Sequence, residues 1–268
     1  MTSPRLVATD LDGTLLDSTG SITPRTRRAL DLARAAGAEI VFVTARPPRG
    51  VDRITPQSGE DEIAVCSNGA VVYDAAAREI VTSYTLDPAV AAKVATLLSE
   101  ALPGVGFAVE TGWNVLAEPA YDRILLFDQE YRRDLPDLDS LWDSGEPIVK
   151  LMAWSRGHSA DDMLAVARAA VDGQAEITHS GGTGLLEISA AGVTKAGTLA
   201  RLCAERGLTP QDVVAFGDMP NDLAVLAYAG LPYGMANAHP LVLESVPNRT
   251  LSNDEDGVAV VLERLYSS

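Results

Sequence analysis

Short apolar runs alternate with longer amphipathic segments along the first part of the chain. The first run begins at Leu6 and stops at Asp10, and its length and composition predict a buried strand of a parallel sheet. Thr23 and Pro24 predict the start of a helix, with an N-cap residue followed by proline at the first helical position. Glu39–Val43 is a second apolar run, so strand, helix and strand form one right-handed unit of a parallel sheet.

The pattern changes after a third predicted strand at Ile63–Cys66, which a turn at Ser67–Gly69 joins to a returning strand at 70–73. From about residue 82, the alternation of buried strand and helix gives way to a different mixture. In this part we predict helices over 88–102 and 160–171, and strands over 105–110, 124–127, 148–154 and 185–189.

The first pattern resumes near Gly192. We predict a helix from Lys195 to Arg206, a strand over 213–216, a helix ending at Ala229, and a closing helix over 258–265. The fold class is therefore α/β, with a doubly wound, Rossmann-like parallel-sheet core formed by residues 1–81 and 190–268. Residues 82–189 are predicted to form an inserted α/β cap domain.

The composition limits what this protein binds. Its 268 residues are 47% hydrophobic and carry a formal charge of -16. Such a charge argues against a nucleic-acid surface, and an anionic substrate would need a locally positive pocket. The chain has no apolar run of membrane-spanning length, no targeting segment before the acidic loop, and two cysteines without metal-ligand spacing. We therefore expect a cytoplasmic protein that binds neither nucleic acid nor membrane.

The candidate chemistry begins where the first strand ends. Asp10 and Asp12 are two residues apart, so strand alternation predicts that their carboxylates project together, with a hard divalent cation between them. A solvated turn or a helix cap is the alternative. The same letters recur at Asp254–Gly257, but no apolar strand precedes that copy, and we expect it to cap the closing helix.

Further polar residues follow other predicted strand and helix ends. Thr44 ends the second strand, Lys195 opens a helix, and Asp218 ends a later strand, shortly before Asn221 and Asp222. Only three of the 21 basic residues are lysines, so a retained lysine is notable in a chain that prefers arginine. A hydroxyl, an ammonium and several carboxylates are the groups that phosphoryl transfer needs.

In this order, these residues resemble the four motifs of the haloacid dehalogenase-like superfamily. The motifs here are Asp10 to Thr14, then Thr44, then Lys195, and lastly Gly217, Asp218, Asn221 and Asp222. The large insert between the second and third motifs is similar to that of the Cof-type phosphatase branch. The resemblance covers essentially the whole chain, including 67–70 and 253–257. It implies a Mg²⁺-dependent phosphatase that acts on a small soluble phosphomonoester, such as a sugar phosphate or a similar metabolite.

The resemblance also implies a role for each site residue. Asp10 would be the nucleophile that becomes an aspartyl-phosphate, and Asp12 the general acid and base. Mg²⁺ would be held by the carboxylates of Asp10 and Asp218 and by the backbone carbonyl of Asp12, while Asp222 would orient a metal-bound water. The phosphate-binding groups would be Thr44, the amide of Ala45, Lys195 and Asn221. Many relatives have glycine where Ala45 stands.

Two other functions remain open from the sequence. A phosphomutase uses the same aspartyl-phosphate but returns the phosphoryl group to a sugar. A metal-binding regulatory module of the receiver type also places acids, a threonine and a lysine on a parallel sheet. The large insert and Asp12 argue against the receiver, which lacks such an insert and needs no acid or base at that position.

Some polar residues allow two interpretations. Arg46 either reaches a phosphate or pairs with a neighbouring acid, and Lys150 either faces the substrate or is an edge or surface lysine. The histidines, His158, His179 and His239, show no ligand spacing and are expected at the surface or in caps. The oligomeric state has no sequence signal.

Overall fold

The computed structural model describes residues 3–59, 62–125, 128–181 and 183–267. The chain forms two compact units. The first contains Met1–Val81 and Lys195–Ser268, and the second contains Thr82–Thr194. Each unit has its own sheet and is described by itself.

Within the described residues, the strands have these bounds: β1 (Leu6–Thr9), β2 (Glu39–Val43), β3 (Ile63–Cys66), β4 (Val71–Asp74), β5 (Glu79–Ser83), β6 (Gly106–Glu110), β7 (Val115–Ala117), β8 (Arg132–Asp134), β9 (Lys150–Ser159), β10 (Ala175–Thr178), β11 (Thr183–Ala190), β12 (Val213–Gly217) and β13 (Leu231–Gly234). The helices are α1 (Pro24–Ala35), α2 (Pro48–Val51), α3 (Thr55–Ser58), α4 (Pro88–Ala101), α5 (Asp139–Trp142), α6 (Ala160–Val171), α7 (Lys195–Glu205), α8 (Leu223–Tyr228), α9 (Pro240–Ser245) and α10 (Gly257–Tyr266).

The first sheet has the strand order β13-β12-β1-β2-β3-β4-β5. The strands from β13 to β3 run parallel, and β4 returns antiparallel to β3 as the predicted hairpin. Because helices cover a parallel sheet on both faces, its inner strands are apolar throughout, and every residue of β1 and β12 is buried. The predicted α/β fold with a parallel core sheet is confirmed.

Helix α1 begins as its sequence predicts. The hydroxyl of Thr23 accepts a hydrogen bond from the backbone N–H of Thr26 at 3.1 Å, and Pro24 occupies the first helical position, where no N–H is needed. One stripe of the helix is buried, with Ala29, Leu30 and Ala33 fully enclosed. This apolar stripe packs against α10, so the two ends of the chain share one hydrophobic layer.

The second sheet has the order β10-β11-β9-β6-β7-β8 and is antiparallel except between β7 and β8. Helices α4 and α6 pack against each other and bury Val94, Leu98 and Met163 in the core of this unit. Both helices start at a side-chain cap, Asp87 for α4 and Ser159 for α6. Helix α6 has the bounds that the sequence predicts.

The strand predicted over 124–127 is not formed at its described residues. Ile124 is 58% exposed, and Ile124 and Leu125 are in neither sheet, while residues 126 and 127 lie outside the described part of the chain. The guanidinium of Arg132 donates to the backbone carbonyls of Tyr121 and Arg123 at 2.8 and 2.7 Å. The segment that leads into residues 124–127 is therefore held by a side chain and not by strand pairing.

Lys150 is neither an edge nor a surface residue, contrary to one of its two interpretations. It lies on β9, between β6 and β11, and is 2% exposed. Its Nζ lies 2.7 Å from an oxygen of Glu187 and 3.1 Å from an oxygen of Glu110. Burial works to lower the pKa of Lys150, but the two glutamates outweigh it and raise the pKa, so the ammonium stays charged inside the second unit.

Two of the three histidines match the expectation, because His158 is exposed and His239 is a helix cap. His239 Nδ1 accepts from the backbone N–H of Leu241 at 3.2 Å and caps α9. His179 is buried, contrary to the surface expectation, with Nε2 3.0 Å from Asp161.

Among the described residues, no helix combines the length and the apolar character that crossing a membrane would require.

The second Asp-x-Asp-Gly copy has a different role from the predicted cap of α10. Asp256 stands at the start of that helix, but its side chain makes no capping hydrogen bond there. Instead, Asp256 Oδ1 accepts from the hydroxyls of Thr23 and Thr26 at 2.5 and 3.1 Å. The backbone of Asp256 has a positive φ of 57°. The C-terminal loop therefore fixes the start of α1.

Replacing Asp256 should destabilise the fold through this contact. Asp256→Gly keeps the left-handed backbone but removes the acceptor of two hydroxyls, and we expect a loss of about 1–3 kcal/mol in the free energy of unfolding, measured with urea. Asp172 is a matched control, because it is exposed and also has a positive φ, 45°. Asp172→Gly should change stability by less than about 0.5 kcal/mol. Equal losses in both variants would contradict the assignment.

Candidate active site

Three neighbouring strands bring polar residues to one edge of the first sheet. Strand β1 lies between β12 and β2, and all three are parallel. Asp10 directly follows β1, Thr44 follows β2, and Asp218 follows β12. All three are buried. Because parallel strands end at the same edge, residues far apart in sequence are collected there, as the sequence predicted.

The loop Leu11–Leu15 reverses direction at Gly13, whose φ is +76°. A side chain at this position would have no room, since a Cβ on Gly13 would lie 2.4 Å from Oδ2 of Asp218. The neighbouring hydroxyl of Thr14 donates to Oδ1 of Asp218 at 2.9 Å. The acidic loop is thus fitted closely against the end of β12, and glycine is required at its bend.

Lys195 is the buried cation of this edge. Its Nζ lies 2.7 Å from Oδ1 of Asp10 and 2.7 Å from Oδ1 of Asp222, and its side chain is 1% exposed. Burial works to lower the pKa of Lys195, but the two carboxylates outweigh burial and raise the pKa above its usual value. The ammonium therefore stays charged and links the end of β1 to the turn after β12.

Asp10, Asp218 and Asp222 form a cluster in which one carboxylate oxygen of each lies within 4.8 Å of the others. Burial raises the pKa of Asp10 well above its usual range, with Lys195 opposing and Asp222 adding to the rise. Burial and the charge of Asp222 raise the pKa of Asp218 to about 7. Three carboxylates facing one ammonium leave an excess of negative charge, and oxygen donors in this arrangement fit a hard divalent cation.

Asp222 differs from the other two carboxylates in its hydrogen bonds. Its Oδ1 binds Lys195, and its Oδ2 accepts from the backbone N–H groups of Asp218 and Met219, both at 3.1 Å. A Cβ on Gly217 would lie 2.5 Å from the Cβ of Asp222. Both oxygens of Asp222 are thus used within the protein, which suits a carboxylate that orients the site better than one that binds a metal directly.

The Asp12 carboxylate is not part of this cluster, although strand alternation predicted that it projects with Asp10. Its side chain is 59% exposed and is held by Arg46, whose Nε and Nη2 donate to the two carboxylate oxygens at 2.7 and 2.6 Å. The chain leaves the strand conformation at the bend, so the period of two ends there. Asp10 is therefore paired with Lys195, and Asp12 is paired with Arg46. Of the two interpretations of Arg46, the pairing with a neighbouring acid is the one that the structure shows.

Burial works to lower the pKa of Arg46, but the hydrogen bonds and charge of Asp12 raise it overall. This bidentate pair fixes the direction of the Asp12 carboxylate.

The predicted phosphate-binding residues belong to the same unit as the cluster. The hydroxyl of Thr44 accepts from the backbone N–H of Arg46 at 3.1 Å, which shapes the loop that contains Ala45. Ala45 is partly exposed directly after Thr44. Asn221 follows β12, and its Nδ2 donates to Oδ1 of Asn68 at 3.0 Å.

Asn68 lies in the segment 67–70, which the family resemblance covers, but no role was predicted for its side chain. The available signal was an asparagine before Gly69, which indicates a turn.

Replacing Lys195 should strongly destabilise the metal-free protein. Lys195→Met leaves Asp10 and Asp222 buried without their shared cation, and we expect a loss of about 3–5 kcal/mol in the free energy of unfolding with urea. Lys93 is the control, because it is an exposed lysine on α4. Lys93→Met should change stability by less than about 0.5 kcal/mol. A small effect at Lys195 would mean that the ion pairs contribute little.

The raised pKa of Asp218 predicts a pH dependence of the metal-free protein. The native state binds this proton up to about pH 7, whereas the unfolded chain releases it near the usual value of 3.8. The stability contribution of this protonated carboxyl is therefore full at low pH and is lost as pH rises through 7.

Asp218→Asn removes this titration and keeps an oxygen for Thr14. With chelator present, its stability relative to the wild type should increase between pH 4 and pH 7. Asp254→Asn, at an exposed aspartate, is measured alongside as the control. A pH-independent difference for Asp218→Asn would contradict the shift.

Comparison with known proteins agrees with this geometry. Residues 7–262 match the family model of haloacid dehalogenase-like hydrolases. The chain is 28% identical to the 5-amino-6-(5-phospho-D-ribitylamino)uracil phosphatase YwtE of Bacillus subtilis over 98% of both chains. It is 27% identical to the putative phosphatase YxeH of the same organism, covering 97% of this chain and 98% of that one.

The fold also matches a solved structure, SMU.1108c from Streptococcus mutans, with a TM-score of 0.86, 24% identity and coverage of 99% and 100% of the two chains. The family predicted from the ordered motifs and the enzyme class of phosphatase are confirmed. The chain belongs to the haloacid dehalogenase-like hydrolases.

Proposed function

We propose that this protein is a Mg²⁺-dependent phosphatase that hydrolyses a small soluble phosphomonoester through an aspartyl-phosphate on Asp10. The observation that carries the proposal is the buried contact of Asp10 with Lys195 in a cluster with Asp218 and Asp222. A nucleophile, a fixed cation and further carboxylates then stand together where three parallel strands end, which is the arrangement that phosphoryl transfer requires.

The metal would be held by the carboxylates of Asp10 and Asp218 and by the backbone carbonyl of Asp12. The raised pKa values of Asp10 and Asp218 support this, because carboxylates that resist ionisation together gain most from a nearby divalent cation. When bound, Mg²⁺ would offset the charge of the phosphoryl oxygens and of the acids around them. Asp222 would not bind the metal directly but would orient a water molecule. This agrees with the hydrogen bonds that its two oxygens make to Lys195 and to the backbone N–H of Asp218.

The phosphate oxygens would be bound by Thr44, the amide of Ala45, Lys195 and Asn221. A buried ammonium suits this task, because a point charge can follow the phosphoryl group while it moves between oxygens. Lys195 contacts the nucleophile itself, so substrate charge and Asp10 would be neutralised by the same group.

Asp10 and Asp12 would divide the chemistry. In the first step an oxygen of Asp10 bonds to phosphorus, the bond to the leaving oxygen breaks, and Asp12 gives that oxygen its proton. In the second step Asp12 takes a proton from water, whose oxygen bonds to phosphorus while the bond to Asp10 breaks, and inorganic phosphate is released. Arg46 would hold the ionised Asp12 carboxylate after it has given up its proton, and the exposure of that carboxylate leaves it accessible to a leaving group.

The substrate class is a small phosphorylated metabolite. YwtE, which matches this chain over nearly its whole length, is named as a phosphatase of a phospho-ribitylamino compound. We propose that residues 82–189 form the cap that selects the substrate, and that the enzyme is cytoplasmic, in keeping with its two buried thiols, Cys66 and Cys203.

Replacing Asp10 tests the proposal directly. Purified wild-type protein should hydrolyse p-nitrophenyl phosphate with Mg²⁺ and lose this activity with chelator. Asp10→Asn should lower kcat by at least about 10³-fold, because the amide cannot form the covalent intermediate. Asp254→Asn is the matched control from the second copy of the motif and should retain wild-type kinetics. An Asp10→Asn enzyme with the wild-type rate would refute the mechanism.

A second assay, with a different substrate, separates this function from a phosphomutase. With a sugar phosphate as substrate, a phosphatase releases free phosphate in proportion to the ester consumed, whereas a mutase forms an isomeric ester. Both isomers and free phosphate are therefore followed together. Isomer formation without phosphate release would replace the proposed reaction.

A further inference from the structure

The turn Ser67–Gly69, after β3, has an unusual backbone. Its three residues have positive φ values of 49°, 56° and 103° in succession. Glycine adopts such angles freely, but Ser67 and Asn68 do so at a cost in conformational energy. Strained backbone of this kind persists where surrounding contacts fix it, and it is concentrated at functional sites.

The backbone of this turn is bonded to two elements that carry predicted phosphate-binding residues. The N–H of Asn68 donates to the carbonyl of Thr44 at 3.1 Å. On the other side, the hydroxyl of Thr198 on α7 donates to the carbonyl of Gly69 at 2.7 Å. Helix α7 begins with Lys195, so the turn is tied both to the loop after β2 and to the helix of the buried lysine.

The side chain of Asn68 contacts a third predicted phosphate-binding element, the turn after β12 that contains Asn221. It is 4% exposed, and its Oδ1 accepts from Nδ2 of Asn221 at 3.0 Å. Asn68 Nδ2 and Asn221 Oδ1 are buried without a hydrogen-bond partner among the described residues. Burying one amide nitrogen and one amide oxygen without hydrogen bonds is unfavourable, so fold stability does not explain why Asn68 and Asn221 are paired here.

We propose that Asn68 is a positioning residue that holds the carboxamide of Asn221 and the backbone of Thr44 in place for the phosphoryl group. The inference rests on the proposed phosphatase function. Asparagine meets both demands of this position, since it tolerates a left-handed backbone and presents an amide oxygen to Asn221. Accepting one N–H of Asn221 fixes its amide plane and leaves the second N–H in a set direction.

A double-mutant cycle tests this role. We compare the wild type, Asn68→Gly, Asn221→Ala and the double variant for KM and kcat with p-nitrophenyl phosphate, and for the inhibition constant of inorganic phosphate. Glycine suits the positive φ, so Asn68→Gly removes the amide without adding backbone strain. Asn68→Ser is a second variant without the amide, in case the first folds poorly. Asp172→Gly is the control for a change at another left-handed position.

If Asn68 acts through Asn221, Asn68→Gly and Asn221→Ala should each raise KM and the inhibition constant about tenfold, with thermal unfolding near that of the wild type. The double variant should then be no worse than the more impaired single variant. Wild-type constants in both Asn68 variants, or fully multiplied losses in the double variant, would overturn the proposal.

The wild type separates this inference from the function on which it depends. If it hydrolyses the ester while the Asn68 variants are unchanged, only the positioning role fails. If it neither hydrolyses the ester nor is protected by phosphate against thermal unfolding, the proposed function fails and the inference with it.

Discussion

The site depends on one buried ammonium. Lys195 contacts Asp10 and Asp222 from the first residue of α7, in a place from which water is nearly excluded. Its positive charge offsets part of the cost of burying two carboxylates side by side. The same charge connects β1, the turn after β12 and α7. Losing it would therefore affect both the fold at this edge and the chemistry proposed there.

Around this ion pair, each of the other acids has a distinct environment. Asp218 accepts a hydrogen bond from Thr14 and lies against the bend at Gly13. Asp222 accepts hydrogen bonds from backbone N–H groups. The Asp12 carboxylate lies outside the cluster and is paired with Arg46. Carboxylates of one residue type thereby acquire different hydrogen-bond partners and different directions. The proposed division of labour between nucleophile, metal ligand and acid follows from these environments.

Two loops outside the acid cluster also contribute to its geometry. The C-terminal loop holds the acidic loop and the start of α1, with Asn253 donating to the Leu16 carbonyl and Asp256 accepting from two threonines. The strained turn at Asn68 does the same for the residues after β2 and β12. From the sequence, both loops were identified only as part of the family resemblance, and the second copy of the acidic motif only as a helix cap. Their hydrogen bonds could not be predicted, because they join residues far apart in the chain.

The sequence by itself determined the strands β1, β2, β3, β4 and β12 of the core sheet, most helices and the family, whereas β5 and β13 appear only in the structure. Apolar runs such as Leu6 to Thr9 must be buried, and the order of Asp10, Thr44, Lys195 and Asp218 is specific enough to identify the family. Only the tertiary structure decided that Arg46 pairs with Asp12, that Lys150 is buried between two glutamates, and that Asp256 serves α1 and not α10. Periodicity reports which face of an element is buried, whereas the partner of a polar side chain depends on which distant loops meet.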